Sequence, residues 1–118
     1  MNEPFEKFLA PYYRQLVPEL KKYERPVLTD TDGLIDNMIP WYLDIGCDGY
    51  LPMERQAGVD PVQVRRRYPG IRMLGGYDKR VIHQGEDAIR AEFEHLLPAM
   101  QQGSYIPSVD HQTPPDVF

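Results

Sequence analysis

Val27-Leu28-Thr29-Asp30-Thr31-Asp32-Gly33 runs from an apolar strand start straight into two carboxylates and a glycine. Ser104-Tyr105-Ile106-Pro107-Ser108-Val109-Asp110-His111 repeats that grammar, an apolar run followed by an acid and a histidine, and two further strand-like runs lie between. In a parallel α/β sheet the C-terminal strand ends line up on one face, so acids and an imidazole from separate segments converge there. The same residues have plainer uses: Asp32 in capping the next helix, Asp30 as a solvated acid at a strand end.

Working outward, the apolar residues Phe5, Phe8, Leu9, Tyr12, Leu16 and Leu20 follow helical spacing, with Pro11 and Pro18 set to break or kink the run into two short helices or one bent one. The first strand begins at Val27. Gly33 then opens a helix whose apolar face is Leu34, Ile35, Met38, Ile39, Tyr42 and Leu43, stopped by Gly46, with Pro40 as a local conflict. Tyr50 to Glu54 reads as the second strand, where Pro52 removes one ladder donor. Asp60-Pro61 starts a helix that reaches about Tyr68. Ile71 to Leu74 is the third strand, after which Gly75-Gly76 lets the backbone turn sharply and approach another segment closely. Glu86 to Met100 is the clearest helix, with Ile89, Phe93, Leu96, Leu97 and Met100 on one face and Gly103 as its stop. The fourth strand follows, and Pro114-Pro115-Asp116 looks like a further helix start. Strands alternating with helices mean parallel pairing and right-handed crossovers, so the expected fold is α/β, four parallel strands forming half of a TIM barrel.

Composition narrows the functional classes. The 118 residues make one domain, and the formal charge of −5, with no basic cluster beyond Arg65-Arg66-Arg67, argues against a nucleic-acid partner. That arginine run is expected on a solvated helix face. Cys47 is the only cysteine, which excludes an intramolecular disulfide and a thiolate metal cage, and it reads as a small buried residue. No apolar run reaches membrane-spanning length, and the first residues lack a signal-peptide pattern, so a cytoplasmic protein is expected.

Three ordered motifs carry a resemblance: Gly49-Tyr50-Leu51-Pro52-Met53-Glu54-Arg55-Gln56-Ala57-Gly58-Val59-Asp60, then Gly75-Gly76-Tyr77-Asp78-Lys79-Arg80, then Gly103 to His111 with Pro114-Pro115-Asp116. In this order and spacing the chain resembles the C-terminal half of the uroporphyrinogen decarboxylase superfamily, over nearly all of residues 1–118, as a single partial domain. That superfamily includes the decarboxylases and corrinoid-linked methyltransferases, both (β/α)₈ barrels with the active site at the C-terminal mouth. The resemblance to the methyltransferase branch implies a zinc site of His-x-Cys and Cys at positions where this chain has Asp30-x-Asp32 and His111. The resemblance to the decarboxylase branch implies a substrate-pocket role for His111, while the arginine-rich segment and catalytic aspartate of that branch belong to the N-terminal half.

The expected site therefore has His111 and Asp78 in catalysis, Glu54, Gln56, Gly76, Lys79 and Arg80 around a small-molecule substrate, and Asp30, Asp32 and His111 on a divalent metal ion, the one cofactor the residues suggest. Two carboxylates and an imidazole are harder ligands than thiolates and suit several divalent metals. His83 and His95 read as surface residues, and Trp41 as core or interface. Three functional classes stay open: a decarboxylase-like or methyl-transfer enzyme subunit, a non-catalytic module holding a tetrapyrrole, corrinoid or metal, and a remnant. Because four strands cannot close a barrel that needs eight, leaving side chains such as Leu28, Leu51 and Met73 uncovered, the expected partner is a second copy or a chain carrying the other half.

Overall fold

A computed structural model describes residues 2–113 and residue 115. The proline pattern resolves the N-terminal segment into two helices, α1 (Glu3–Phe8) and α2 (Ala10–Lys21), that break at Leu9; Pro4 and Pro11 lie in first turns, where no N–H is needed. Their buried side is Phe5, Ala10 and Val17, with Phe5 against Trp41 and Tyr42 at ring-centroid distances of 5.2 Å each. The apolar stripe read from the sequence mostly faces outward instead: Phe8, Tyr12 and Leu16 are 61%, 71% and 55% exposed. The smaller residues fit closer to the neighbouring helix and take the inner face.

Strands β1 (Leu28–Asp30), β2 (Gly49–Leu51), β3 (Arg72–Tyr77) and β4 (Tyr105–Val109) form one sheet in sequence order, every neighbouring pair parallel. This is the open α/β sheet of a half TIM barrel. β2 ends at Leu51, short of the expected Glu54, because Pro52 offers no N–H to the ladder. Across the sheet Thr29, Tyr50, Met73 and Tyr105 stand in register and are buried against the helices. The next residue of each strand points to the opposite face. Met73 is thus a core residue at 2% exposure, not an uncovered one; Leu74 and Ile106, a register pair, belong to the open face with Leu28 and Leu51.

Helix α3 spans Ile39–Ile45, starting six residues later than expected, because Pro40 is tolerated in a first turn and not in a helix interior. Gly46 closes it in the left-handed conformation, φ 105°. α4 (Pro61–Arg67) is capped by Asp60, whose carboxylate accepts the Val62 N–H at 2.9 Å. α5 (Glu86–Gln101) buries Glu92, Leu96 and Ala99, whereas Phe93 and Leu97 are 46% and 44% exposed. Its inward face is rotated from the expected stripe, because Arg55 draws Glu92 inward. Two cores result: a larger one between the sheet, α4 and α5, and a smaller one under α1 to α3. Each fully buried Ile, Val, Leu or Met there contributes about 1.5–3 kcal/mol.

Gly75 and Gly76 lie within β3, not beyond it, both at positive φ. A Cβ at Gly75 would stand 1.9 Å from the Pro52 carbonyl oxygen, which accepts the Gly76 N–H at 2.9 Å. The close approach expected of this pair is therefore to the loop after β2. Arg65 is 2% exposed, contrary to a solvated face; its guanidinium donates to the carbonyls of Pro69 and Gly103 at 2.6 Å each, tying the end of α4 to the loop before β4. Cys47 is buried as expected. The helix start at Pro114-Pro115-Asp116 falls on residues of which only Pro115 is described. No helix among the described residues is long and apolar enough to cross a membrane.

Candidate functional site at the strand ends

Parallel order sets the C-terminal ends of all four strands on one face, so Asp30, Glu54, Asp78 and His111 lie at the same end of the sheet. Beyond Asp30 the ladder continues for one bond, Thr31 N–H to the Leu51 carbonyl at 2.9 Å, which carries Asp32 over the loop after β2. Glu54 is aimed at the same point by Met53, which adopts a left-handed backbone, φ 60°, and places its own side chain fully in the core. That conformation costs a non-glycine residue on the order of 1–2 kcal/mol, a cost that the burial of Met53 offsets. Gly33 N–H then donates to Glu54 Oε2 at 2.7 Å, leaving Oε1 turned toward His111.

His111 Nε2 stands 3.7 Å from Asp32 Oδ1 and 3.8 Å from Glu54 Oε1, and one ligand atom from each of the three residues lies within 4.8 Å of the others. Donors bound to one divalent ion at roughly 2.0–2.6 Å are themselves about 3–5 Å apart, so the spacing and the donor types fit such an ion. Glu54 joins the set in place of the expected Asp30. Alternate residues share a face only while the strand lasts, and β1 ends at Asp30, so Asp30 and Asp32 are not equivalent.

The other expected residues are placed as follows. Asp78, buried, caps the turn of residues 79–84 and gives both carboxylate oxygens to Arg80 at 2.8 Å; the bond from Arg80 holds its carboxyl below the usual range despite burial. Arg80 is thereby committed to Asp78. Lys79 Nζ lies 3.7 Å from Asp110 Oδ1 and 3.4 Å from the Gln112 carbonyl. Gly76 presents its carbonyl to Arg55 at 3.1 Å. Gln56 is exposed on the short turn Arg55–Ala57. His83 is exposed, and His95, 43% exposed at its side chain, meets Asp60 at 3.1 Å.

Sequence reasoning missed a buried polar layer directly beneath this mouth. Arg55 pairs with Glu92 of α5, and Glu92 also accepts the Asp78 N–H at 3.3 Å. Asp110, 6% exposed, accepts the N–H of Arg55 at 3.1 Å and of His111 at 2.8 Å. Glu92 was findable: it lies three residues after Ile89 and four before Leu96, on the helix's apolar face. Tyr105, its phenol pushed up by burial, donates to the Gly75 carbonyl at 2.8 Å and closes the layer from below.

A protein-family model described as Uroporphyrinogen decarboxylase (URO-D) matches residues 1–117. No curated protein and no solved structure matches the chain.

Proposed function

The chain belongs to the uroporphyrinogen decarboxylase (URO-D) family, and from that premise we propose that it is a half-barrel subunit whose strand-end mouth holds a divalent cation on Asp32, Glu54 and His111, beside a small-molecule substrate. The observation that carries this reading is the convergence of three metal-type donors from three strand ends, within 4.8 Å of one another. A bound ion there would supply Lewis-acid stabilisation of negative charge on the substrate. The chain's own part is to orient: Gly33 holds one oxygen of Glu54, and His111 presents Nε2 toward Asp32 and Glu54. Methyl-transfer chemistry of the corrinoid-linked kind fits such a site, as does a non-catalytic metal-holding role.

Titration calorimetry with zinc, manganese and magnesium on wild type and Asp32→Ala tests this. Binding by the wild type that weakens at least about tenfold in Asp32→Ala is expected. Equal heats from the two proteins, or no binding by either, would remove the reading.

The second reading uses the same residues without a metal. A carboxylate substrate that loses carbon dioxide leaves a carbanion, and a protonated His111, flanked by Asp32 and Glu54, would return the proton to carbon. Decarboxylase-like chemistry on a tetrapyrrole belongs here. The two uses of one imidazole exclude each other, so tight metal binding at neutral pH counts against the second.

We also assign the open face and the edges of β1 and β4, unpaired among the described residues, to a partner, a second copy or a chain bearing the complementary half, completing the mouth. Ile106 is 66% exposed on that face. Open parallel edges and an uncovered sheet face are both unfavourable in water. Light scattering at micromolar concentration should give twice the monomer mass; a stable, cooperatively unfolding monomer would refute self-association.

A further inference from the structure

Asp110 immediately precedes His111, yet its side chain turns away from the mouth and into the protein, where only 2% of it is exposed. Its two oxygens hold three separate strand-end segments. Oδ2 accepts the N–H of Arg55, the residue next to Glu54; Oδ1 accepts the N–H of His111; and Lys79, just past β3, lies 3.7 Å from Oδ1. One carboxylate thereby fixes the backbone adjoining Glu54 and that of His111, the two ligands whose relative placement the sheet alone does not set, since β2 and β4 are not neighbours. Burial strengthens these bonds, because water does not compete for the acceptor.

We propose that Asp110 is the positioning residue of the strand-end site: it sets the distance between Glu54 and His111 without touching the ion. The inference rests on the metal-binding reading above. Asp32 is held more directly by the β1–β2 ladder, through Thr31. Asparagine at 110 keeps the size and one acceptor oxygen, so it can serve Arg55 or His111 but not both.

Zinc calorimetry on Asp110→Asn alone and combined with Glu54→Gln or Asp32→Ala is the test. Asp110→Asn should weaken zinc binding about tenfold, the size of a change behind the ligands. Combined with Glu54→Gln, the loss should be clearly smaller than the product of the single losses, because the lever on Glu54 is already gone. Combined with Asp32→Ala, the two losses should come clearly closer to multiplying, because Asp110 bonds the backbone next to Glu54 and not that of Asp32. A merely structural Asp110 would combine alike with both, which overturns the proposal. Undiminished binding by Asp110→Asn overturns it too while leaving the metal site intact; absence of binding by the wild type overturns both. Should Asp110→Asn fail to fold, amide exchange of the wild type decides: Arg55 and His111 amides should be protected and become more so with zinc, and exchange at unprotected loop rates refutes the role.

Discussion

Glu54 Oε2 accepts the backbone N–H of Gly33 at 2.7 Å, so the carboxylate in the loop after β2 is anchored by the turn that follows β1. The bond leaves Oε1 facing His111, 3.8 Å away. In the proposed metal set Glu54 therefore takes the place of Asp30. Glu54→Gln should weaken zinc binding at least tenfold or so, whereas Asp30→Asn should change it by less than about twofold. Calorimetry on the two variants separates the set the fold assembles from the one suggested by strand alternation; a larger loss from Asp30→Asn would reverse the assignment.

Arg55 and Glu92 form an enclosed ion pair, with side chains 14% and 8% exposed. Removing one partner strands the other's charge away from water. Arg55→Met is expected to cost about 3–5 kcal/mol in urea unfolding. Arg55→Met with Glu92→Leu should recover most of this, short of about 1–3 kcal/mol for the Asp78 N–H left without its acceptor. A double variant no more stable than the single one would show that the pair is not isolated in this way.

The Asp78 carboxyl titrates below its ordinary value, first because Arg80 bonds to it, against the opposing effect of burial. A carboxyl depressed in the folded state adds stability that is fully present above its unfolded pKa, about 3.9, and lost as pH falls through the folded value. Arg80→Gln should lower stability at pH 7 by less than about 1 kcal/mol, since Arg80 is half exposed, and should narrow the gap from wild type as the pH drops below 4. Urea midpoints at pH 7 and pH 3 measure it; a gap that widens in acid would mean that Asp78 is not the group responsible.

At Gly75 both φ, 105°, and the 1.9 Å approach of a Cβ to the Pro52 oxygen oppose any side chain. Gly75→Ala should lose more than about 4 kcal/mol, in the range of mutations that break a core. Gly70 has open space around it, and Gly70→Ala should fall within about 0.5 kcal/mol of wild type. Thermal melts of the pair suffice, and comparable losses would show that the Pro52 contact yields.

Alternation of apolar runs with helical stretches was enough to establish four parallel strands in order, because short crossovers of one hand admit almost no other topology. Cys47 in the core, the Asp60 cap and the Gly46 stop were equally local, since each depends on a residue and its immediate neighbours. What the sequence left open was orientation. Whether Phe8, Tyr12 and Leu16 or Ala10 and Val17 face inward depends on how closely α2 approaches α3. Whether Glu92 or Phe93 lies under the sheet depends on Arg55, a partner 37 positions away. The site followed the same rule. His111 and Asp32 were visible as residue types after strands, but the choice of Glu54 over Asp30, and the hold of Asp110 on both loops, required the register between strands and the left-handed turn at Met53. Side-chain chemistry is written locally, whereas distances between side chains are set by backbone hydrogen bonds and packing that join segments remote in sequence.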